Sequence, residues 1–145
     1  MATRTTDRKI KRDPRSQPFC ATRRHHSTEA AEDYSELVSD LITELGEART
    51  CEIAFRLGVS HVTALRTIRR LQHEGYLRTS PHQPITLTAK GIHTADQAKE
   101  RHELLVNFLI SLGVPHDVAE VDVEGAEHHI SATTLKCIRA FMKKV

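Results

Sequence analysis

From Tyr34 onward, apolar side chains recur at helical spacing. Tyr34, Leu37, Val38, Leu41, Ile42 and Leu45 form one stripe, which predicts a helix closed by Gly46. The stretch TCEIAFRLGVS repeats the pattern on a smaller scale, with Thr50 expected as N-cap, Ile53, Ala54 and Leu57 inward, and a break at Gly58. Ser60 is then expected to cap HVTALRTIRRLQHEG, with Val62, Ala64, Leu65, Ile68 and Leu71 inward. Two short helices about a three-residue turn containing Gly have the shape of a helix-turn-helix.

Farther along, the period changes to that of strands. YLRTS and ITLT flank Pro81-His82-Gln83-Pro84 and read as a hairpin, so the segment predicts a winged helix-turn-helix. In that architecture the second helix enters a major groove by its outward face, offering Ser60, His61, Thr63, Arg66, Thr67 and Arg70 to bases and phosphates. Arginines spaced this way also occur on ordinary solvated helix faces, and it is the helix-turn-helix and hairpin context that favours DNA. Thr88 is placed to cap a long helix that buries Leu104, Leu105, Phe108, Leu109 and Leu112 before Gly113 and Pro115 end it. A helix over HDVAEVDVEGAEHH follows, and Ser131 caps a last one with Leu135, Ile138 and Phe141 on one side. The apolar faces of this C-terminal half exceed what one protomer needs, as in a dimer interface.

Composition narrows the class. The 145 residues include no Trp, two Tyr and four Phe, so a core of Leu, Ile, Val and Ala in a mainly α fold is expected. Cys20, Cys51 and Cys137 form no C-x-x-C, which argues against a disulfide framework or thiolate zinc site and fits the cytoplasm. No run of about 18 apolar residues suggests a membrane span. The net charge of +2 hides an uneven distribution: residues 1–30 carry eight Lys or Arg against three acids, whereas residues 31–97 carry seven against nine. The expected organisation is a disordered basic tail over 1–30, a DNA-binding domain over 31–95, and a helical metal-binding and dimerisation domain over 96–145. The tail reads as a solvated extension or as a loose electrostatic arm for nucleic acid; its interspersed acids argue against a transit peptide.

The chemistry concentrates near the C-terminus, in VEGAEHHI. On a continuous helix Glu124, Glu127 and His128 share one face and His129 points away. No basic residue follows within the turn to pair with these carboxylates. Asp33 and Glu36 present a second pair of carboxylates on the first helix, and His102 lies on the long one. If the three helices meet, six ligands gather, and four anions at close range repel one another unless a cation lies between them. Oxygen-rich donors with two nitrogens and no sulfur favour Mn(II) or Fe(II). Each piece also has an ordinary explanation: a half-buried histidine at 102, a helix-dipole partner at Asp33, and a structural His129.

EDYSELVSDL, EIAFRLGVS, LTAKG, RHELLVNFL and DVEGAEHHIS stand in this order over some 115 residues. From about Ala31 to the end, the chain thereby resembles the manganese transport regulators of the diphtheria-toxin-repressor (iron-dependent repressor) family, in the short form without an SH3-like domain. Matched residue by residue, the resemblance implies metal ligands at Asp33, Glu36, His102, Glu124, Glu127 and His128. Iron-responsive relatives carry sulfur where Asp33 and Glu127 stand, which favours manganese, with Fe(II) as the alternative. The wing departs from the family, where a basic residue and Gly precede the second strand.

The resemblance implies a homodimeric repressor that binds two Mn(II) per subunit and then a pseudo-palindromic operator in double-stranded DNA. Mn(II) would lock the two halves so that the recognition helices stand one turn of DNA apart, about 34–36 Å. A metal-independent winged-helix regulator is one rival. A carboxylate-bridged two-metal enzyme is another, but ferritin-like enzymes use two E-x-x-H motifs, and no second copy is visible beside the helix-turn-helix.

Overall fold

The computed structural model describes the backbone of residues 17–145 and the side chains from residue 28 onward. Helix α1 (Gln17–Leu45) leads into the short α2 (Thr50–Leu57) and α3 (His61–His73). Strands β1 (Leu77–Arg78) and β2 (Thr86–Leu87) form the hairpin, α4 (Ala89–Ser111) leaves it, and α5 (His116–Ala126), a 3-10 turn (Glu127–His129) and α6 (Ala132–Met142) complete the order. The fold is mainly α, with an N-terminal winged helix-turn-helix and a C-terminal helical domain. Among the described residues, no helix is long and apolar enough to cross a membrane.

Helix α1 is already formed at Gln17, well before Asp33, so residues 17–30 are helical where a disordered tail was expected. The part of that expectation concerning residues 1–16 lies outside the described residues. The buried stripe is also rotated from the one anticipated. Ala31, Tyr34, Ser35, Val38 and Leu41 are buried, whereas Ile42 and Leu45 face solvent.

The first core gathers α1, α2, α3 and the wing: Tyr34, Val38, Leu41, Ala48, Ile53, Ile68, Leu71, Leu77 and Ile85 pack together. Capping defines its turns. The side chain of Ser60 accepts from the Thr63 amide at 3.1 Å, as its sequence position suggests. At α2 the N-cap is Arg49 without a side-chain cap bond, and Thr50 is already helical. Gly58 closes α2 at φ 66°, a left-handed conformation that glycine adopts without strain, and the Val59 amide reaches back to the Ala54 carbonyl at 3.1 Å.

The wing is minimal. Leu77 pairs with Leu87 and Arg78 with Thr86, antiparallel, while the Ile85 amide donates to the Ala48 carbonyl at 2.9 Å and ties the hairpin to the α1–α2 connection. Thr88 both caps α4, accepting from the Gly91 amide at 3.1 Å, and donates to the Gly75 carbonyl at 2.6 Å. Helix α4 then runs along α1 into a second core made by Leu105, Val106, Ala119 and Val123, with Leu109, Ile130, Leu135 and Ile138 against them. Ser131 caps α6 as expected, accepting from the Thr134 amide at 3.2 Å. No residue of α6 is buried within one protomer, and Val118, Val121, Leu112 and Phe141 are exposed.

Candidate metal centre and nucleic-acid interface

α1, α4 and the segment around Glu127 converge where the two cores adjoin. Helix α5 stops at Ala126, so Glu127 and His128 sit on a 3-10 turn and not on a continued helix. Rotation at this turn separates the three residues expected on one face. Glu127 and His128 have side chains only 3% and 5% exposed, whereas that of Glu124 is 74% exposed at the rim.

Two imidazole-centred groups result. The Nε2 of His128 is 3.2 Å from Oδ1 of Asp33, and its Nδ1 donates to Oε2 of Glu32 at 2.6 Å. His102 places Nδ1 2.6 Å from Oε2 of Glu127 and 3.9 Å from Oε2 of Glu124, while its Nε2 is 2.8 Å from Oε2 of Glu120. Glu36 contributes differently. It lines, with Asp33, Asp40, His102, Glu120 and Glu124, an open cavity of about 300 Å³ between α1, α4 and α5. Ligand atoms of Glu29, Asp33 and His128 lie within 4.8 Å of one another.

Electrostatics at this junction match its composition. Hydrogen bonds to Asp33 and Glu32 hold the His128 pKa up at about 10. For Glu32, burial alone would raise the pKa, but hydrogen bonds from His128 and Arg101 outweigh it and hold the carboxyl at about 2. Burial, together with the charges of Glu127 and Asp40, pushes Glu36 up. Burial opposes charge on His102, yet its hydrogen bonds to Glu120 and Glu127 prevail and its pKa is raised. Such crowding of anions around half-buried imidazoles suits a divalent cation, and a set of carboxylates and imidazoles without sulfur suits Mn(II).

Neutralisation within the chain comes from an unexpected quarter. Arg101 of α4 grips Glu32 through two bonds of 3.1 and 2.6 Å and reaches Oε1 of Glu127 at 3.4 Å. Sequence reasoning missed Glu29, Glu32, Arg101 and Glu120. Glu32 precedes Asp33, and Arg101 precedes His102, so adjacency to a proposed ligand was the available signal.

In the DNA-binding half, α3 presents His61, Thr63, Arg66 and Arg70 to solvent, while Thr67 is half-buried. Val62, expected inward, is 65% exposed. Ser60 donates to Oγ1 of Thr63 at 2.9 Å besides its capping bond, so both side chains are engaged in shaping the helix start. Arg70 pairs with Glu74 at 3.6 Å. An open cavity of about 490 Å³ separates α3 from the wing, lined by Arg49, His61, Arg69, Ser80 and His82 among others. The Arg49 side chain donates to the His82 carbonyl at 3.2 Å, and His82 holds a left-handed φ of 62° at the hairpin tip.

Comparison with known proteins fixes the context of both sites. Residues 26–84 match the model for the N-terminal DNA-binding domain of iron-dependent repressors, and residues 88–145 match that for their metal-binding and dimerisation domain. The chain belongs to the iron-dependent repressor family. It is 44% identical over 126 residues to the transcriptional regulator MntR of Escherichia coli O157:H7, covering 87% of this chain and 81% of that protein. With the HTH-type transcriptional regulator MntR of Bacillus subtilis it shares 37% identity over 105 residues, or 72% of this chain and 74% of the relative. Among solved structures, a manganese-dependent transcriptional repressor in complex with manganese superposes with a TM-score of 0.69 at 32% identity, over 78% of this chain and 52% of that one. The manganese regulator SloR shares the fold, with a TM-score of 0.68 at 23% identity, over 78% of this chain. The chain thus spans about half the length of these two structures.

Proposed function

We propose that this chain is an Mn(II)-responsive transcriptional regulator that, as a cytoplasmic homodimer, represses manganese-uptake genes by binding a pseudo-palindromic operator. The observation that carries this reading is the contact of His128 with Asp33, 3.2 Å across the junction between the C-terminal domain and the helix that feeds the DNA-binding core. Asp33, Glu36, His102, Glu124, Glu127 and His128 are the proposed ligands, for two ions per subunit. Mn(II) supplies there the positive charge that lets four carboxylates share one volume.

The chain's own residues do the rest. Asp33 and Glu36 are fixed to α1, whose buried stripe is part of the first core; Glu127 and His128 are fixed to the second domain. Drawing these side chains to a common centre restrains one domain against the other. That restraint sets the separation of the two α3 helices in a dimer, and DNA accepts only separations near one helical turn. The exposed apolar residues of α5 and α6 are where the second copy packs, since no residue of α6 is fully buried within one protomer. Arg66 and Arg70 approach phosphates or base edges, with His61 and Thr63 near the helix start. Ser60 and Thr67 belong to the same interface as shape-giving residues. No catalytic residue is assigned, and the chain is read as a binding protein and not an enzyme.

The test is binding of purified protein to a manganese-transporter promoter fragment at fixed salt, with chelator, Mn(II), Fe(II) or Zn(II). Retardation that requires Mn(II) is expected. Equal retardation under chelator would favour a metal-independent winged-helix regulator, and a response to Fe(II) alone would favour an iron sensor.

A further inference from the structure

Both proposed imidazole ligands are gripped from behind by carboxylates outside the ligand set. At His128, the Nδ1 proton is directed to Oε2 of Glu32 at 2.6 Å, and Nε2 faces Asp33. Glu32 is itself immobilised, because Arg101 binds both of its oxygens, at 3.1 and 2.6 Å. The 3.3 Å separation between Arg101 Nη2 and His128 Nδ1 follows from two donors converging on the same oxygen. At His102 the geometry is reversed. Nε2 is taken by Glu120 at 2.8 Å, and Nδ1 faces Glu127 and Glu124.

An imidazole that donates through one nitrogen has the other fixed as its ligand atom, and its ring plane fixed as well. We propose that Glu32 and Glu120 are positioning residues, Glu32 presenting Nε2 of His128 and Glu120 presenting Nδ1 of His102 to the metal. The proposal rests on the assignment of these two histidines as ligands. The supports are unequal. Glu32 is half-buried and clamped by Arg101, whereas Glu120 is more exposed and also lies 3.5 Å from His116, one turn earlier on α5. Glu32 is therefore a rigid support and Glu120 an adjustable one.

Mn(II) titration of the metal-free full-length protein, followed by calorimetry and by the loss of the free-ion paramagnetic resonance signal, tests this directly. Glu120→Ala is expected to weaken Mn(II) binding about 10–100-fold, at the binding step that His102→Ala also weakens. Glu120→Gln should restore most of the loss, because the amide oxygen still accepts from Nε2–H. Glu32→Ala should weaken the step that His128→Ala weakens; if that variant fails to fold, Glu32→Gln, which keeps an amide oxygen to accept from Nδ1–H of His128, should weaken the same step only slightly, and a loss as large as in His128→Ala would overturn the positioning role of Glu32. Wild-type affinity in Glu120→Ala would overturn the positioning role while leaving the ligands in place. A Gln variant as weak as the Ala variant would overturn it too, in favour of direct ligation by Glu120. A wild-type protein that binds no Mn(II) would overturn the ligand assignment itself.

Discussion

His128 and Asp33 meet at 3.2 Å, Nε2 to Oδ1, a contact that joins α1 directly to the C-terminal domain. In the metal-free protein this contact is an ion pair; in the loaded one both atoms are proposed to face the same cation. Removing the imbalance between these two states should uncouple metal from DNA. Mn(II) is expected to tighten operator binding by the wild-type protein some 5–150-fold, the usual range of allosteric coupling. In His128→Ala, fluorescence anisotropy should give nearly equal operator affinities with Mn(II) and with chelator. Full Mn(II) dependence in that variant would exclude His128 from the sensor.

At His128, a proposed ligand, proton and metal would compete for the same atom. Its pKa is held at about 10 in the folded protein, chiefly by Asp33 and then Glu32, against about 6.5 when unfolded. The stabilisation this gives the metal-free state is fully present below pH 6.5 and is lost as pH rises through 10. Glu32 has the opposite sign: its support is present above its ordinary pKa and lost as pH falls toward 2. An unshifted imidazole would oppose Mn(II) with a proton only below about pH 6.5. With the raised pKa, Mn(II) must displace a proton across the whole neutral range, so apparent affinity should rise by up to about tenfold per pH unit from pH 6.5 to 8.5. Calorimetry at pH 7.5 in buffers of different ionisation enthalpy should show net proton release on loading; none would mean that His128 is not a ligand.

Much of this architecture was legible because helix periodicity and capping chemistry are local. Ser60, Thr88 and Ser131 cap the helices that follow them as the sequence suggests, and α2 ends at Gly58 as expected, in a left-handed turn. Two kinds of error have different causes. Ile42, Leu45 and Val62 are apolar at core-like spacing yet exposed, because a stripe wider than the available neighbours cannot all be covered by one protomer. The rotation at Glu127 and the role of Arg101 were invisible for a different reason: both are set by contacts between α1, α4 and the 3-10 turn, which no local window contains. The unpaired carboxylates of VEGAEHHI implied a counter-charge, and Arg101 supplies part of it, reaching Glu127 at 3.4 Å.

Gly91 is required by a close approach of backbone to backbone. A Cβ at this position would lie 2.1 Å from the Tyr76 carbonyl oxygen and 3.0 Å from Leu87. Neither the carbonyl nor the first turn of α4 can retreat easily, because Thr88 bonds both the Gly75 and Tyr76 carbonyls. Gly91→Ala should therefore cost about 1–3 kcal/mol, as overpacking does, and thermal denaturation should reveal it as a lowered Tm. The wing and α4 are pushed apart by the same clash, so operator affinity should fall in the loaded protein as well. An unchanged Tm would mean that the hairpin is loose enough to yield at this point.

Arg66 separates positional from sequence-specific roles on α3. It is exposed on the outward face, and among the described residues no ion pair holds it as Glu74 holds Arg70. If its guanidinium meets a phosphate, Arg66→Ala should weaken binding to specific and unrelated DNA alike and reduce the slope of log affinity against log salt by about 0.9. A guanine edge in place of the phosphate would give a different signature: a loss of about 1–3 kcal/mol confined to one base pair, with the salt slope almost unchanged. Arg66 lies beyond the capped first turn, and the half-buried Thr67 beside it keeps this part of α3 close to the protein core; the phosphate outcome is the expected one. Anisotropy titrations at several salt concentrations, on the operator and on scrambled DNA, distinguish the two. A variant that matches wild type in both respects would remove Arg66 from the interface and turn attention to Arg69 and Arg49 beside the wing.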